Sequence, residues 1–153
     1  MKFDAKATTR NGGGAAWHAP RSKRHGRASP ILVVEDDPLI REAMTAVLEM
    51  DGFEVAAAAD GKEALCLLRV VVPCIILLDL EMPGMDGWGF RAEQIQDGGL
   101  ARIPVVVLSG RSDAARQARM LHVAAGLQKP LDLDALRRLI LEHGTNRSAA
   151  VAH

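Results

Sequence analysis

Short apolar runs alternate with amphipathic stretches from Pro30 onward. Residues 31–34, Ile-Leu-Val-Val, are too short for a helix and rich in β-branched side chains, so a buried strand is expected there. Asp37 then offers an N-cap, with Pro38 at the first helical position. Leu39, Ile40, Ala43, Met44, Val47 and Leu48 follow at helical spacing and predict one buried face, closed by Asp51 and Gly52. Phe53 and Val55 begin a weaker second strand that runs into the alanines of 56–59. A second helix opens at Asp60, with Glu63 as its capping-box partner and Ala64, Leu65, Leu67 and Leu68 as its buried face. Cys66 shares that stretch and is expected in the core.

The most hydrophobic run, residues 74–78, predicts a central strand. After a Pro-Gly loop, Asp86 is placed to cap a third helix toward Gln96. A fourth strand is expected over 104–108, a short fourth helix over 112–121 and a weak fifth strand around 125–128. Asp132 caps a last helix with Leu133, Leu136, Leu139 and Ile140 on one face, and Gly144 ends it. Met82, Met85 and Trp88 are assigned to loop and helix packing. Five β-α units in strict alternation imply an α/β fold: a five-stranded parallel sheet, doubly wound, with helices on both faces. Open sheets of this kind present their functional groups at the carboxyl ends of the strands.

The chain has 153 residues, enough for one domain of ordinary size plus a short extension. A hydrophobic content of 48% with 25% charged residues excludes wholesale disorder. The absence of a run of about 18 apolar residues excludes a membrane span, and a basic N-terminus without an apolar h-region argues against secretion, so a cytoplasmic protein is expected. Two cysteines, Cys66 and Cys74, cannot build a disulfide framework or a four-ligand zinc site. The net charge of +0 hides a division. Residues 1–29 hold seven Lys/Arg against one acid, Asp4, and the remainder holds twelve against eighteen. The first segment, with its Gly12–Gly14 run, is expected to be a disordered basic arm. Residues 30–143 are expected to form the domain and 144–153 a tail, with no output domain expected after it.

Acids crowd the predicted strand ends. Glu35, Asp36 and Asp37 follow the first strand; Asp79 and then Glu81 follow the third. Ser109-Gly110 stands after the fourth and Lys129-Pro130 after the fifth. Carboxylates from two strands converge on one edge beside a hydroxyl and an ammonium, which is oxygen-donor chemistry suited to a hard divalent cation. Such acids repel one another unless a cation or proton neutralises them. A dinucleotide site needs a glycine-rich turn where these acids stand, and no phosphate-binding G-x-x-x-x-G-K-[ST] loop occurs. Ser109 lies outside any G-x-S-x-G context, which argues against a serine hydrolase. The five histidines, His18, His25, His122, His143 and His153, have no metal-ligand spacing and are expected at the surface or in loops.

Four blocks, ILVVEDDPLI at 31–40, LLDLEMPGMDG at 77–87, VVVLS at 105–109 and KP at 129–130, agree in order and spacing with a known family. Across residues 30–143 the chain resembles the receiver domain of bacterial two-component response regulators, the chemotaxis-Y-like (βα)5 flavodoxin-like fold. The resemblance implies that Asp79 is the phosphoacceptor, a carboxylate nucleophile that becomes an acyl phosphate. It also implies that Glu35 and Asp36 hold Mg²⁺ together with Asp79 and the backbone carbonyl of Glu81. Lys129 then reaches the phosphoryl oxygens, and Ser109 bonds the phosphoryl group and moves on activation. Asp37 is better explained as the helix cap. The implied partner is a histidine kinase or a histidine phosphotransfer protein. The implied chemistry is Mg²⁺-dependent self-phosphorylation and autodephosphorylation of a signalling protein, not that of an enzyme.

One position departs from the pattern. The family has an aromatic residue three positions before the lysine, and here that residue is Gly126. Glycine removes no phosphate ligand but puts the usual readout in doubt, and it weakens an already weak strand. The segment between Ser109 and Lys129 also looks short for the family. The leading expectation is a stand-alone receiver that signals through partner binding or phosphotransfer; the alternative is a phosphate-independent receiver-like adaptor. DNA binding through the basic arm is the third possibility, but no helix-turn-helix is present and nucleic acid is not the expected partner.

Overall fold

β1 (Ile31–Val34), β2 (Val55–Ala58), β3 (Ile75–Asp79), β4 (Val105–Ser109) and β5 (Ala125–Gln128) pair in parallel as one sheet, in the order β2-β1-β3-β4-β5. This is a computed structural model that describes residues 29–144. The basic arm and the tail expected from the sequence lie outside the described residues, apart from Ser29 and Gly144. The first four strands are buried along their whole length because helices cover both faces. Ile31, Val33, Val55, Ile75, Leu77, Val106 and Leu108 face one layer, made by α1 (Pro38–Met50) and α6 (Leu133–Leu139). Leu32, Val34, Ala56, Ala58, Ile76, Leu78, Val105 and Val107 face the other, made by α2 (Gly61–Leu67), α3 (Gly87–Gln94) and α5 (Ala114–Leu121). The period-two alternation of the strands thus divides two cores. Among the described residues no helix is long and apolar enough to cross a membrane.

Aspartates start most of the helices. Asp37, Asp60, Asp86 and Asp132 each accept a bond from a backbone N–H in the first turn of α1, α2, α3 and α6. Glu63 reaches back to the N–H of Ala59, one residue before the cap, so the capping box is displaced by one position. A one-turn helix, α4 (Gly98–Ala101), was not anticipated; Asp97 caps it. α5 begins at Ala114, not near Ser112, and Asp113 makes no side-chain cap bond. α6 runs into a π-helical turn over Ile140–Gly144.

Three assignments of the buried faces are corrected. The α1 stripe is Met44, Thr45 and Leu48, while Leu39, Ile40 and Ala43 are exposed. Only three residues separate β1 from α1, so the first turn of the helix stands at the level of the sheet edge with little to pack against. Leu133 is exposed for the same reason at the start of α6. Cys66 is exposed as well. α2 buries Gly61, Ala64 and Leu67, and Cys66 lies two residues from Ala64, on the far side of the helix.

Gly126 has a structural reason. A Cβ at this position would fall onto the carbonyl oxygen of Ala114, with the carbonyl carbon at 3.0 Å and the Ala118 Cβ at 3.2 Å. α5 is therefore seated directly on the β5 backbone, and even a methyl group must push the two elements apart. We expect Gly126→Ala to destabilise the fold by about 1–3 kcal/mol, the usual cost of overpacking against backbone. A denaturation series would read this as a lower midpoint at unchanged slope; an unchanged midpoint would contradict the close seating.

Candidate functional site

Strand register assembles the site. Val34 pairs with Leu78, so Glu35 and Asp79 come out side by side at the carboxyl edge. Asp79 pairs with Leu108, and Ser109 pairs with Gln128, which delivers Lys129 one residue later. Backbone bonds fix these ends: Leu80 N–H donates to Leu108 at 3.0 Å, and Lys129 N–H to Ser109 at 2.7 Å. Arg41 braces the first acidic loop by donating to the backbone carbonyls of Glu35 and Asp36 at 2.8 and 3.4 Å.

The Lys129 ammonium lies 3.1 Å from Glu35 Oε1 and 3.3 Å from Asp79 Oδ1. Glu35 and Asp79 are each only 1% exposed, and Asp36 is partly buried. Burial of Asp79, and then the charge of Glu35, push its carboxyl up to about 7, against the opposing pull of Lys129 and the Glu81 N–H. Burial alone would lower Lys129; its bond to Glu35 and the charges of Asp79 and Glu35 outweigh that and leave it above the ordinary lysine value. One ammonium pairs with Glu35 and Asp79 while Asp36 stands beside them, so the site is short of positive charge.

Glu35, Asp36 and Asp79 each offer one carboxylate oxygen, all within 4.8 Å of one another. The donors are all oxygen, two of the three acids are buried, and the charge deficit favours a cation, so the residues fit a hard divalent ion such as Mg²⁺. Beside them, Glu81 N–H donates to Asp79 Oδ1 at 3.1 Å. The Glu81 side chain crosses to the end of β4, where Ser109 Oγ donates to Oε2 at 3.1 Å and Gly110 N–H donates to Oε1 at 3.3 Å. Arg111 N–H donates to the Ser109 oxygen at 3.0 Å.

All the residues singled out from the sequence, Glu35, Asp36, Asp79, Glu81, Ser109 and Lys129, therefore stand at one edge. Asp37 caps α1, as expected, and its N–H also donates to Glu35 Oε2 at 3.2 Å. The brace from Arg41 and the reach of the Glu81 side chain were missed. Arg41 falls in the first turn of a helix, where a basic residue carries no sequence signal, and Glu81 was considered only for its backbone. Arg91 on α3 was missed too. It donates to the carbonyls of Leu121 and His122, at 3.1 and 2.8 Å, and ties down the C-terminal end of α5.

The family model described as the response regulator receiver domain matches residues 31–141. The chain is 37% identical over 102 residues to the DNA-binding response regulator MtrA of Mycolicibacterium smegmatis, covering 67% of this chain and 41% of that protein. It is 40% identical over 104 residues to the transcriptional regulatory protein CseB of Streptomyces coelicolor, covering 67% and 43%. The chain thus spans less than half the length of these two curated relatives. Among solved structures, a response regulator receiver protein from Pseudomonas putida superposes with a TM-score of 0.70 at 26% identity, covering 76% of this chain and 98% of that one. The chemotaxis protein CheY4 of Vibrio cholerae gives 0.68 at 26%, covering 76% and 99%.

The raised Asp79 carboxyl has a consequence for stability in metal-free buffer. Between the ordinary carboxylate value of 3.8 and about 7, the folded protein holds a proton that the unfolded chain has lost, so stability falls as pH rises through that window. Asp79→Asn removes the buried charge, although it also takes a partner from Lys129. We expect the variant to be more stable than the parent at pH 8, by roughly 1–2 kcal/mol, and flatter across the window. Denaturant midpoints measured in chelator from pH 4 to 8 check this; a variant less stable at pH 8 would contradict it.

Proposed function

The chain belongs to the response regulator receiver family, a signalling module of two-component systems, and on that premise we propose that it accepts a phosphoryl group on Asp79 from a histidine kinase or a histidine phosphotransfer protein. The observation that carries this reading is Asp79 itself: a buried carboxylate at the end of the central strand, beside two further acids and 3.3 Å from an ammonium. In the transfer, an Asp79 oxygen attacks phosphorus and the bond from phosphorus to the donor imidazole breaks. The electron pair goes to the ring, which takes up one proton, and Asp79 becomes an acyl phosphate. Lys129 turns its ammonium toward the phosphoryl oxygens, and Ser109 donates its hydroxyl to them. Glu35, Asp36, Asp79 and the backbone carbonyl of Glu81 would hold Mg²⁺, which when bound would supply the missing positive charge. Hydrolysis of the acyl phosphate in the same site returns Asp79 and inorganic phosphate, so the chemistry resets a signal.

Residues 30–143 constitute the receiver unit in this reading, and the protein works in the cytoplasm, where its phosphodonors are. Signal leaves through partner binding or onward phosphotransfer. DNA binding is a property named for relatives such as MtrA, and nothing in the described residues extends it to this chain. The phosphate-independent adaptor is the less favoured reading, because Gly126 alters packing at β5 while the acids, Ser109 and Lys129 remain assembled.

Incubation with Mg²⁺ and a small acyl phosphate, read by intact mass, tests the assignment. The parent should gain one phosphoryl group, and neither Asp79→Asn nor the parent in excess chelator should gain it. A full gain in either would remove the role given to Asp79 or to the cation.

A further inference from the structure

Glu81 does more than lend its backbone to the site. Its side chain is exposed, yet it is not free in solvent: one carboxylate oxygen accepts from Ser109 Oγ at 3.1 Å and the other from Gly110 N–H at 3.3 Å. Two donors at the end of one strand grip the two oxygens of one anionic group. The one donor of Ser109 is thereby committed, since its hydroxyl proton goes to Glu81 while its oxygen accepts from Arg111 N–H. A phosphoryl group on Asp79 needs donors of this kind beside it. Strand register brings them from the adjacent strand, one residue past Leu108, the partner of Asp79.

We propose that the Glu81 carboxylate is an internal stand-in for the phosphoryl group, occupying the Ser109 and Gly110 donors until Asp79 is phosphorylated, and that its displacement is a cost of phosphorylation. This deepens the proposed function and rests on it. Two physical points give the device its properties. Hydrogen bonds to a carboxylate are stronger than those to a neutral acceptor, so the donors prefer Glu81 to water. The exposed carboxylate is well solvated when released, so the latch is weak enough to open. Glu81 is a positioning residue here: it acts on the phosphoryl group only through Ser109 and Gly110. Its backbone N–H, which holds Asp79 Oδ1, is untouched by side-chain substitution.

The test uses the full chain, Mg²⁺ and two probes, a small acyl phosphate and beryllium trifluoride as a phosphoryl mimic. In the first, an Asp79 oxygen attacks phosphorus and the donor's carboxylate leaves with the electron pair. Glu81→Ala should take up phosphate about three- to tenfold faster than the parent and bind the mimic tighter by a similar factor. Glu81→Gln, which keeps the length but only one acceptor oxygen, should fall between them. Glu81→Asp keeps the charge but is one methylene too short to reach both donors, so it should behave like Glu81→Ala. The gain from Glu81→Ala should shrink when Ser109→Ala is already present, because the two substitutions act on one contact. Equal rates and equal mimic affinity for the parent and Glu81→Ala would overturn the latch while leaving Asp79 as the acceptor. Parent-like behaviour of Glu81→Asp would also overturn it, in favour of simple charge repulsion. No phosphoryl gain on any of these proteins would overturn the reading of Asp79, and the latch with it.

Discussion

Two buried carboxylates share one ammonium at the carboxyl edge of the sheet, with a third acid, Asp36, beside them, and the imbalance governs what the site can do. Lys129 spans Glu35 and Asp79 at 3.1 and 3.3 Å, yet the Asp79 carboxyl still stands near 7 because burial and Glu35 act against its ionisation. The arrangement is poor for stability, as crowded buried acids generally are. It becomes useful when a cation or a phosphoryl acceptor role is required, since both exploit oxygen donors that the fold alone does not satisfy. The strands that bring these groups together are buried on both faces, so the edge is rigid where the chemistry is concentrated.

The same sheet edge is connected to a helix seated in an unusual way. α5 follows Ser109 by only a few residues and rests on β5 at Gly126, where no side chain fits. Its start has no side-chain cap, while Arg91 from α3 holds its far end through the carbonyls of Leu121 and His122. Burial pulls the Arg91 guanidinium below its ordinary value, but an arginine remains charged under any folding condition. α5 is therefore held at both ends: Ala114 in its first turn sits against the β5 backbone at Gly126, and Arg91 holds the carbonyls at its C-terminal end.

Much of this was legible in the sequence. Runs such as Ile-Leu-Val-Val at 31–34 and Val-Val-Val-Leu at 105–108 can only be strands of a sheet covered on both sides, and the aspartates before each amphipathic stretch mark the helix starts. The acids, Ser109 and Lys129 could be placed together because parallel strands put all their carboxyl ends on one edge. What the sequence hid was direction and reach. Leu39 and Ile40 have the spacing of a core stripe, but the helix starts too close to its strand for them to be covered. Cys66 sits among leucines in sequence and opposite them in space. Gly126 looked like a weakness in a strand, whereas it is the point of closest packing between two elements. The grip of Glu81 on Ser109 spans twenty-eight positions and no local pattern announces it.

The central claim, that the acidic edge exists to carry a phosphoryl group on Asp79, is tested most directly by chemical trapping of the intermediate. Borohydride reduces an acyl phosphate to an alcohol, so an aspartyl phosphate is converted to homoserine at the residue that bore it. After treatment with Mg²⁺ and an acyl phosphate donor, borohydride reduction and peptide sequencing should find homoserine at position 79. Homoserine at Glu35's neighbour Asp36 or at any other aspartate, with Asp79 intact, would contradict the account.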